Sequence, residues 1–305
     1  MPTILEEMLG KSISPQSFVD DYLFKLPFAL SGGCNNLLDL GSWHVMGQLL
    51  RGRGTDVFVG NTRGERSPRV PTTCGEAREL LAEGYTVGVR QAHNHHPGLR
   101  QLAASFREEF AAPVDVHLYA TAAGASGLGW HYDAEDVFVL QTVGSKEWSL
   151  RKNTVNPWPV IENLPEDMHY EKEIMPLMRC LLSAGDWLYV PAGYWHLTRA
   201  GEESLSLSVG IASPTGVDVF DFVRSKVINS LRWRERLPAA ANHADGDAML
   251  ADKYESQFRM LAEDLARILG RPDFAAEYLA WRKESGRQDG ELSELPSTEE
   301  SRRSP

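Results

Sequence analysis

The spacing of apolar residues changes twice along the chain, and each change marks a different kind of element. In the first part the period is helical. Ser14 suits a helix N-cap, Pro15 suits the first helical position, and Phe18, Tyr22, Leu23 and Leu26 follow on one face, so residues 1–30 read as helical. The helical pattern resumes over 42–52, and GTDVFVGNTRG at 54–64 is a short strand between turn residues. TCGEARELLAEGYTVGVR at 73–90 predicts a short helix, a glycine turn and a strand over 85–90. In HPGLRQLAASFREEF, at 96–110, Leu99, Leu102, Phe106 and Phe110 share one face of an amphipathic helix.

From 112 to about 213 the segments become short, apolar or alternating. VDVHLYAT, DVFVLQTVG, KEWSLRK, DWLYVPAG and SLSLSVGIAS are separated by Gly, Pro and Asn. That texture predicts a mainly β barrel or sandwich rather than βαβ units. Helical periodicity returns in VFDFVRSKVINSLRWRERL, DKYESQFRMLAEDLARIL and FAAEYLAWRKE, and the polar tail from Gly286 to Pro305 is expected to be disordered. The expected division is therefore 1–111 as helices and strands packing on a barrel, 112–213 as the barrel, 214–285 as a helical segment, and 286–305 as tail.

Composition narrows the partners. The protein has 305 residues, 42% hydrophobic and 24% charged, with a formal net charge of −11 and a pI near 5.3. An acidic surface argues against a nucleic-acid backbone as main partner and favours a peptide or small molecule, with a mild preference for a basic one. Cys34, Cys74 and Cys180 lie far apart without a CxxC pair, which suits reduced thiols in the cytoplasm. No signal-peptide pattern opens the sequence, and no apolar run is long enough to span a membrane.

Polar chemistry then intrudes on the β region. His131 and Asp133 are two apart at the mouth of an apolar run, so in an extended backbone they point to the same side. The stretch GDWLYVPAGYWH, Gly185 to His196, has the spacing GDx4PxGx2H, with which cupin barrels deliver a second histidine to the barrel mouth. Two imidazoles and one carboxylate make a facial triad, which suits Fe(II) and leaves sites open for a bidentate 2-oxo acid and O2. Lys146 follows a reversal at 142–144, and its strand is expected to run back beside the first one. That would set the ammonium deeper than the metal, about one 2-oxoglutarate length away, where a buried cation needs a counter-ion.

These stretches, HYDAEDVFVLQTVGSKEW and GDWLYVPAGYWH, together with VDVHLYATAAGASGLGWHYD and the weaker SPQSFVDDYLFKLPFAL, resemble the JmjC-type Fe(II)/2-oxoglutarate oxygenases. Within that family they are similar to the ribosomal-oxygenase-like branch of cupin hydroxylases. The resemblance implies a double-stranded β-helix with flanking helices. It implies His131, Asp133 and His196 as iron ligands, Lys146 as the residue holding the distal carboxylate of 2-oxoglutarate, and Ser208 as a hydroxyl near the cosubstrate. His117 stands where the branch often has asparagine, and Tyr119 shares its face, so both are candidates to line the cosubstrate pocket. The activity implied is hydroxylation of a C–H, at the β-carbon of a residue such as histidine or arginine in a peptide or protein. Tailoring of a natural-product peptide or amino acid, N-methyl demethylation, and a ligand-binding cupin without redox chemistry are the alternatives.

The remaining candidates have structural readings beside the functional ones. His93, His95 and His96 sit in a loop before a helix and read as an N-cap region. Trp130, Tyr194 and Trp195 flank the ligands as rim packing or as substrate walls, and Glu135 and Asp136 are a solvated loop or a meeting point for a cation. After residue 214, Val219, Phe220, Val223, Val227 and Leu231 form an apolar stripe that fits a homodimer interface, resembling the branch's helical dimerisation segment.

Overall fold

Local signals set the first elements. Thr3 and Glu6 close a capping box on α1 (Ile4–Leu9). Ser14 caps α2 (Pro15–Asp21), with proline at the first helical position. The helical reading of 1–30 fails at its end: Phe28–Leu30 is a strand, β1, because Pro27 cannot donate to a helix and disfavours helical backbone before it. Then come α3 (Trp43–Leu50), β2 (Asp56–Gly60), α4 (Cys74–Ala82), β3 (Thr86–Arg90) and α5 (Pro97–Phe110). His96 caps α5 by accepting from the Leu99 N–H at 3.3 Å. This computed structural model describes residues 2–62, 65–165, 175–239 and 246–288.

Seven further strands complete two antiparallel sheets. They are β4 (Val114–Thr121), β5 (Asp136–Val143), β6 (Ser145–Arg151), β7 (Met178–Ser183), β8 (Trp187–Val190), β9 (Trp195–Ala200) and β10 (Ser204–Ile211). The larger sheet runs β1-β8-β5-β10-β4-β3-β2 and the smaller β7-β6-β9. Their facing arrangement is the double-stranded β-helix. One expectation needs correction: β6 does not pair with β5. Both edges of β5 are already taken, by β8 and β10, so the backbone turns at Gly144 and β6 enters the opposite sheet.

Alternation along the strands sorts two cores. On β10, Leu205, Leu207, Val209 and Ile211 face outward onto the helices, while Ser206 and Ser208 face between the sheets. β4 does the same, with Val114, Val116, Leu118 and Ala120 outward and His117 and Tyr119 inward. The outer core closes on α1 to α5 through Phe18, Phe106, Phe138 and Trp187. The inner core, Val137, Val139, Trp148, Leu150, Leu182, Leu188, Val190 and Tyr194, fills the sheet-to-sheet space below the site. Phe138 is fully buried against the rings of Phe18, Phe106, Trp187 and Tyr189. Phe138→Ala should cost about 3–5 kcal/mol, read by urea unfolding, because the packed helices leave the space unfilled.

Residues 214 onward form a second unit. It holds α6 (Val219–Val227), α7 (Leu231–Arg234), α8 (Gly246–Leu269) and α9 (Phe274–Gln288). Phe222 on α6 meets the rings of Phe274, Tyr278 and Trp281 on α9. The apolar stripe expected after residue 214 is split: Val223 and Val227 on α6 are buried, whereas Phe220 on α6 and Leu231 on α7 are 63% and 79% exposed. α9 continues to Gln288, past the start of the expected tail. Residues 289–305 lie outside the described residues. Among the described residues no helix is long and apolar enough to cross a membrane.

Candidate metal centre

The backbone brings the two distant motifs together. His131, ahead of β5, and His196, on β9, exchange main-chain hydrogen bonds of 3.1 and 2.8 Å. The Gly193 N–H donates to the Asp133 carbonyl at 2.8 Å, with Gly193 at φ +78°, a conformation that any residue other than glycine adopts at a penalty. A Cβ there would also press on the Pro157 carbonyl at 2.8 Å. Asp186 of the GD pair accepts from the N–H groups of Gly32 and Ser183 at 3.0 and 2.8 Å, which fixes the turn into β8. Asp136 is buried and accepts from the Tyr189 hydroxyl at 2.7 Å and the Ala192 N–H at 3.2 Å. It pins the turn leading to His196 and is neither solvated nor open to a substrate, which corrects its reading as a loop acid.

The side chains converge as the backbone implies. One ligand atom each from His131, Asp133 and His196 lies within 4.8 Å of the others, the only such group of three found among the described residues. The imidazole centroids are 4.1 Å apart, and His196 Nε2 is 3.6 Å from an Asp133 oxygen. His131 Nδ1 lies 2.9 Å from the Gly129 carbonyl and His196 Nδ1 lies 3.0 Å from that of Tyr194. A carbonyl only accepts, so each Nδ1 carries a proton, which leaves Nε2 as the nitrogen that can ligate a metal. Burial and the neighbouring His131 push the His196 pKa down to about 4, against the pull of Asp133, so the ring is neutral and ready to ligate. Two imidazoles and a carboxylate, with no thiolate, suit Fe(II) with open positions.

A cavity of about 200 Å³ opens from this cluster between the sheets. Lys146, on β6, lines it and is 4% exposed. Its ammonium donates to the hydroxyls of Ser206 at 3.1 Å and Thr121 at 3.4 Å and has no carboxylate partner among the described residues. Burial alone lowers its pKa to about 8. Tyr119 lines the same wall, and burial raises its phenol well above the ordinary value, so it stays a hydrogen-bond donor. His117 also lines the cavity; its Nδ1 accepts from the Gln91 N–H at 3.1 Å, which puts the ring proton on Nε2. Ser208 lies one inward step along β10 from Ser206, paired with His117 across the strands. The cavity thus gathers all seven residues singled out from the sequence. It adds Thr121, Ser206 and Trp148, which sequence reasoning passed over. The alternation in SLSLS, once Ser208 is placed inward, puts Ser206 inward as well. Nothing local marks Thr121 or the unpartnered indole N–H of Trp148.

The bland readings also find their places. His93 is buried, accepts from the Val116 N–H at 3.2 Å and lies 3.8 Å from Asp115. Tyr194 donates to the Lys25 carbonyl at 2.9 Å and Trp195 stands edge-on to Tyr132. Neither they nor Trp130 line the cavity, whereas Glu135 does.

Comparison with known proteins gives the class. Residues 88–219 match the JmjC domain. Among curated relatives it is similar to the bifunctional lysine-specific demethylase and histidyl-hydroxylase NO66 of Dictyostelium discoideum, 30% identical over 221 residues that cover 65% of this chain and 42% of that protein. NO66 of Drosophila yakuba is 26% identical over 198 residues, 62% of this chain and 29% of that protein. The match thus spans less than half the length of these two relatives. Among solved structures, Escherichia coli YcfD superposes with a TM-score of 0.59 at 20% identity, covering 88% of this chain and 71% of that one. YcfD, a ribosomal oxygenase, has also been solved with cobalt and 2-oxoglutarate; that structure superposes at a TM-score of 0.58 and 21% identity, covering 89% and 71%. At this identity the superposition establishes the shared fold.

Proposed function

We propose that this protein is an Fe(II)- and 2-oxoglutarate-dependent dioxygenase that hydroxylates a C–H bond of an amino-acid residue in a peptide or protein. The observation that carries the reading is the pairing, in one cavity, of an open ligand triad with a buried ammonium that has no counter-ion. His131, Asp133 and His196 hold the iron, as the cobalt site of YcfD supports by analogy. Lys146, steadied by Thr121 and Ser206, receives the distal carboxylate of 2-oxoglutarate, with Tyr119, His117 and Ser208 as polar wall. When bound, the iron would activate O2 and 2-oxoglutarate would supply two electrons by its oxidation to succinate and CO2, so that one oxygen atom of O2 enters an unactivated C–H bond. The protein's own share is positioning: the two Nδ1–H bonds fix the imidazole planes, and the apolar residues Val137, Val139 and Val190 keep water from the reacting face.

The relatives' names, a histidyl-hydroxylase and a ribosomal oxygenase, support a protein substrate, and we infer a basic one hydroxylated at the β-carbon of histidine or arginine. The exposed Phe220, Leu231, Phe258 and Leu279 support a homodimer through the C-terminal helices. Three free thiols fit the reducing cytoplasm. The test is mass spectrometry of basic ribosomal-protein peptides incubated with protein, Fe(II) and 2-oxoglutarate. A gain of 16 Da matched by succinate is expected. Formaldehyde with loss of 14 Da would assign demethylation instead, and the absence of Fe(II)-dependent succinate would overturn the oxygenase.

A further inference from the structure

Every charged group lining the cavity has an assignment except one. Asp133 belongs to the triad and Lys146 to the keto-diacid, a division that rests on the function proposed above. Just outside, Asp115 lies 3.8 Å from His93 and Asp136 is tied to Tyr189 and Ala192. Glu135 lines the cavity and makes no hydrogen bond or ion pair with any described residue.

Its position is built into the sheet. Gly210 on β10 stands opposite Asp115 on β4 and Val137 on β5, and a Cβ on Gly210 would overlap the Glu135 carboxylate. The missing side chain is what lets the carboxylate turn inward. Lys146 bonds at Ser206, four residues back along the same strand, so about 13 Å separates the two levels. Glu135 and Lys146 therefore leave each other unpaired, and the cavity has a cationic end and an anionic end. Burial first, and then the like charge of Asp115, Asp133 and Asp136, raise the cost of a negative charge on Glu135, and no cation among the described residues offsets it. A carboxylate so placed calls for a positive group from outside.

We propose that Glu135 is a specificity-determining residue that receives the guanidinium or ammonium group of the substrate residue. A substrate residue whose charged end meets Glu135 lays its preceding carbons beside Asp133, two residues away. The acid thus selects a cation and brings the reacting C–H to the metal.

The test uses the full-length protein loaded with Mn(II) and N-oxalylglycine, an inert 2-oxoglutarate analogue, and reads proton relaxation of small probes near the paramagnetic ion. The probes are N-acetyl-argininamide, N-acetyl-lysinamide and their neutral counterparts from citrulline and acetyl-lysine. The wild type should bind the charged probes at least about tenfold more tightly than the neutral ones. Glu135→Gln should bring each pair within about twofold, and Glu135→Asp should retain a preference. Equal binding of charged and neutral probes by the wild type overturns the proposal, as does a preference that survives in Glu135→Gln. Loss of N-oxalylglycine binding in Glu135→Gln would assign the residue to the cosubstrate instead, and also overturns it. Failure of the wild type to bind Mn(II) and N-oxalylglycine is a distinct result: it removes the oxygenase reading, and this proposal with it.

Discussion

Lys146→Met should weaken 2-oxoglutarate binding by at least about 100-fold, measured by calorimetry on the Mn(II)-loaded protein. The substitution keeps length and apolar stem but removes the charge that would meet the distal carboxylate. Ser206 and Thr121 cannot replace it, because hydroxyls carry no net charge. Two further readouts separate this role from simple packing. In the wild type the affinity should fall as pH rises through about 8, the pKa to which burial lowers Lys146, because the neutral amine loses its attraction for the carboxylate. The unliganded protein should behave oppositely. Its unfolded state holds the lysine proton to about 10.5 while the fold releases it near 8, so the unfolded state binds more protons between these values and stability rises with pH there. For the same reason unliganded Lys146→Met should be more stable than wild type at pH 7, by about 3 kcal/mol at most. A variant that loses both ligand and stability would mark Lys146 as structural.

Removing a ligand of the triad should have an equally large effect elsewhere. His131→Ala and His196→Ala should each lower Mn(II) or Co(II) affinity by more than about 100-fold, beyond the range for outer-sphere changes. Fe(II)-dependent succinate formation should disappear with it. Asp133→Asn keeps shape and the Gly193 hydrogen bond, which uses the backbone carbonyl, but removes the negative charge. Its metal affinity should fall while its thermal unfolding moves little. Retention of full metal affinity in any of the three would show that the cluster does not hold the ion.

The sequence carried the metal triad well, because each ligand sits in a motif whose geometry is local. His131 and Asp133 share a side by extended-backbone alternation, and GDx4PxGx2H encodes a turn, a strand and a second turn that ends on His196. The helices were also legible where caps were strong, as at Ser14 and His96. What failed was non-local. β6 was expected beside β5, but whether an edge of β5 is free depends on β8 and β10, which lie far along the sequence. Asp136 looked like a loop acid, and its true role needs Tyr189, which arrives 53 residues later. Thr121 became visible as a support for Lys146 only when β4 and β6 were placed in opposing sheets. Phe222 rather than Phe220 is the buried aromatic of α6, since the partner helix chooses which side of the stripe to cover.

The placement of β6 and β9 in the smaller sheet has a mechanical consequence. The triad draws His196 from that sheet and His131 and Asp133 from the approach to the larger one, while Lys146 reaches across to hydroxyls on β4 and β10. An ion and a keto-diacid seated there act as two rivets through the same seam. Their occupancy must slow any parting of the layers, so amide exchange along β6 and β9 becomes a gauge of loading that needs no turnover.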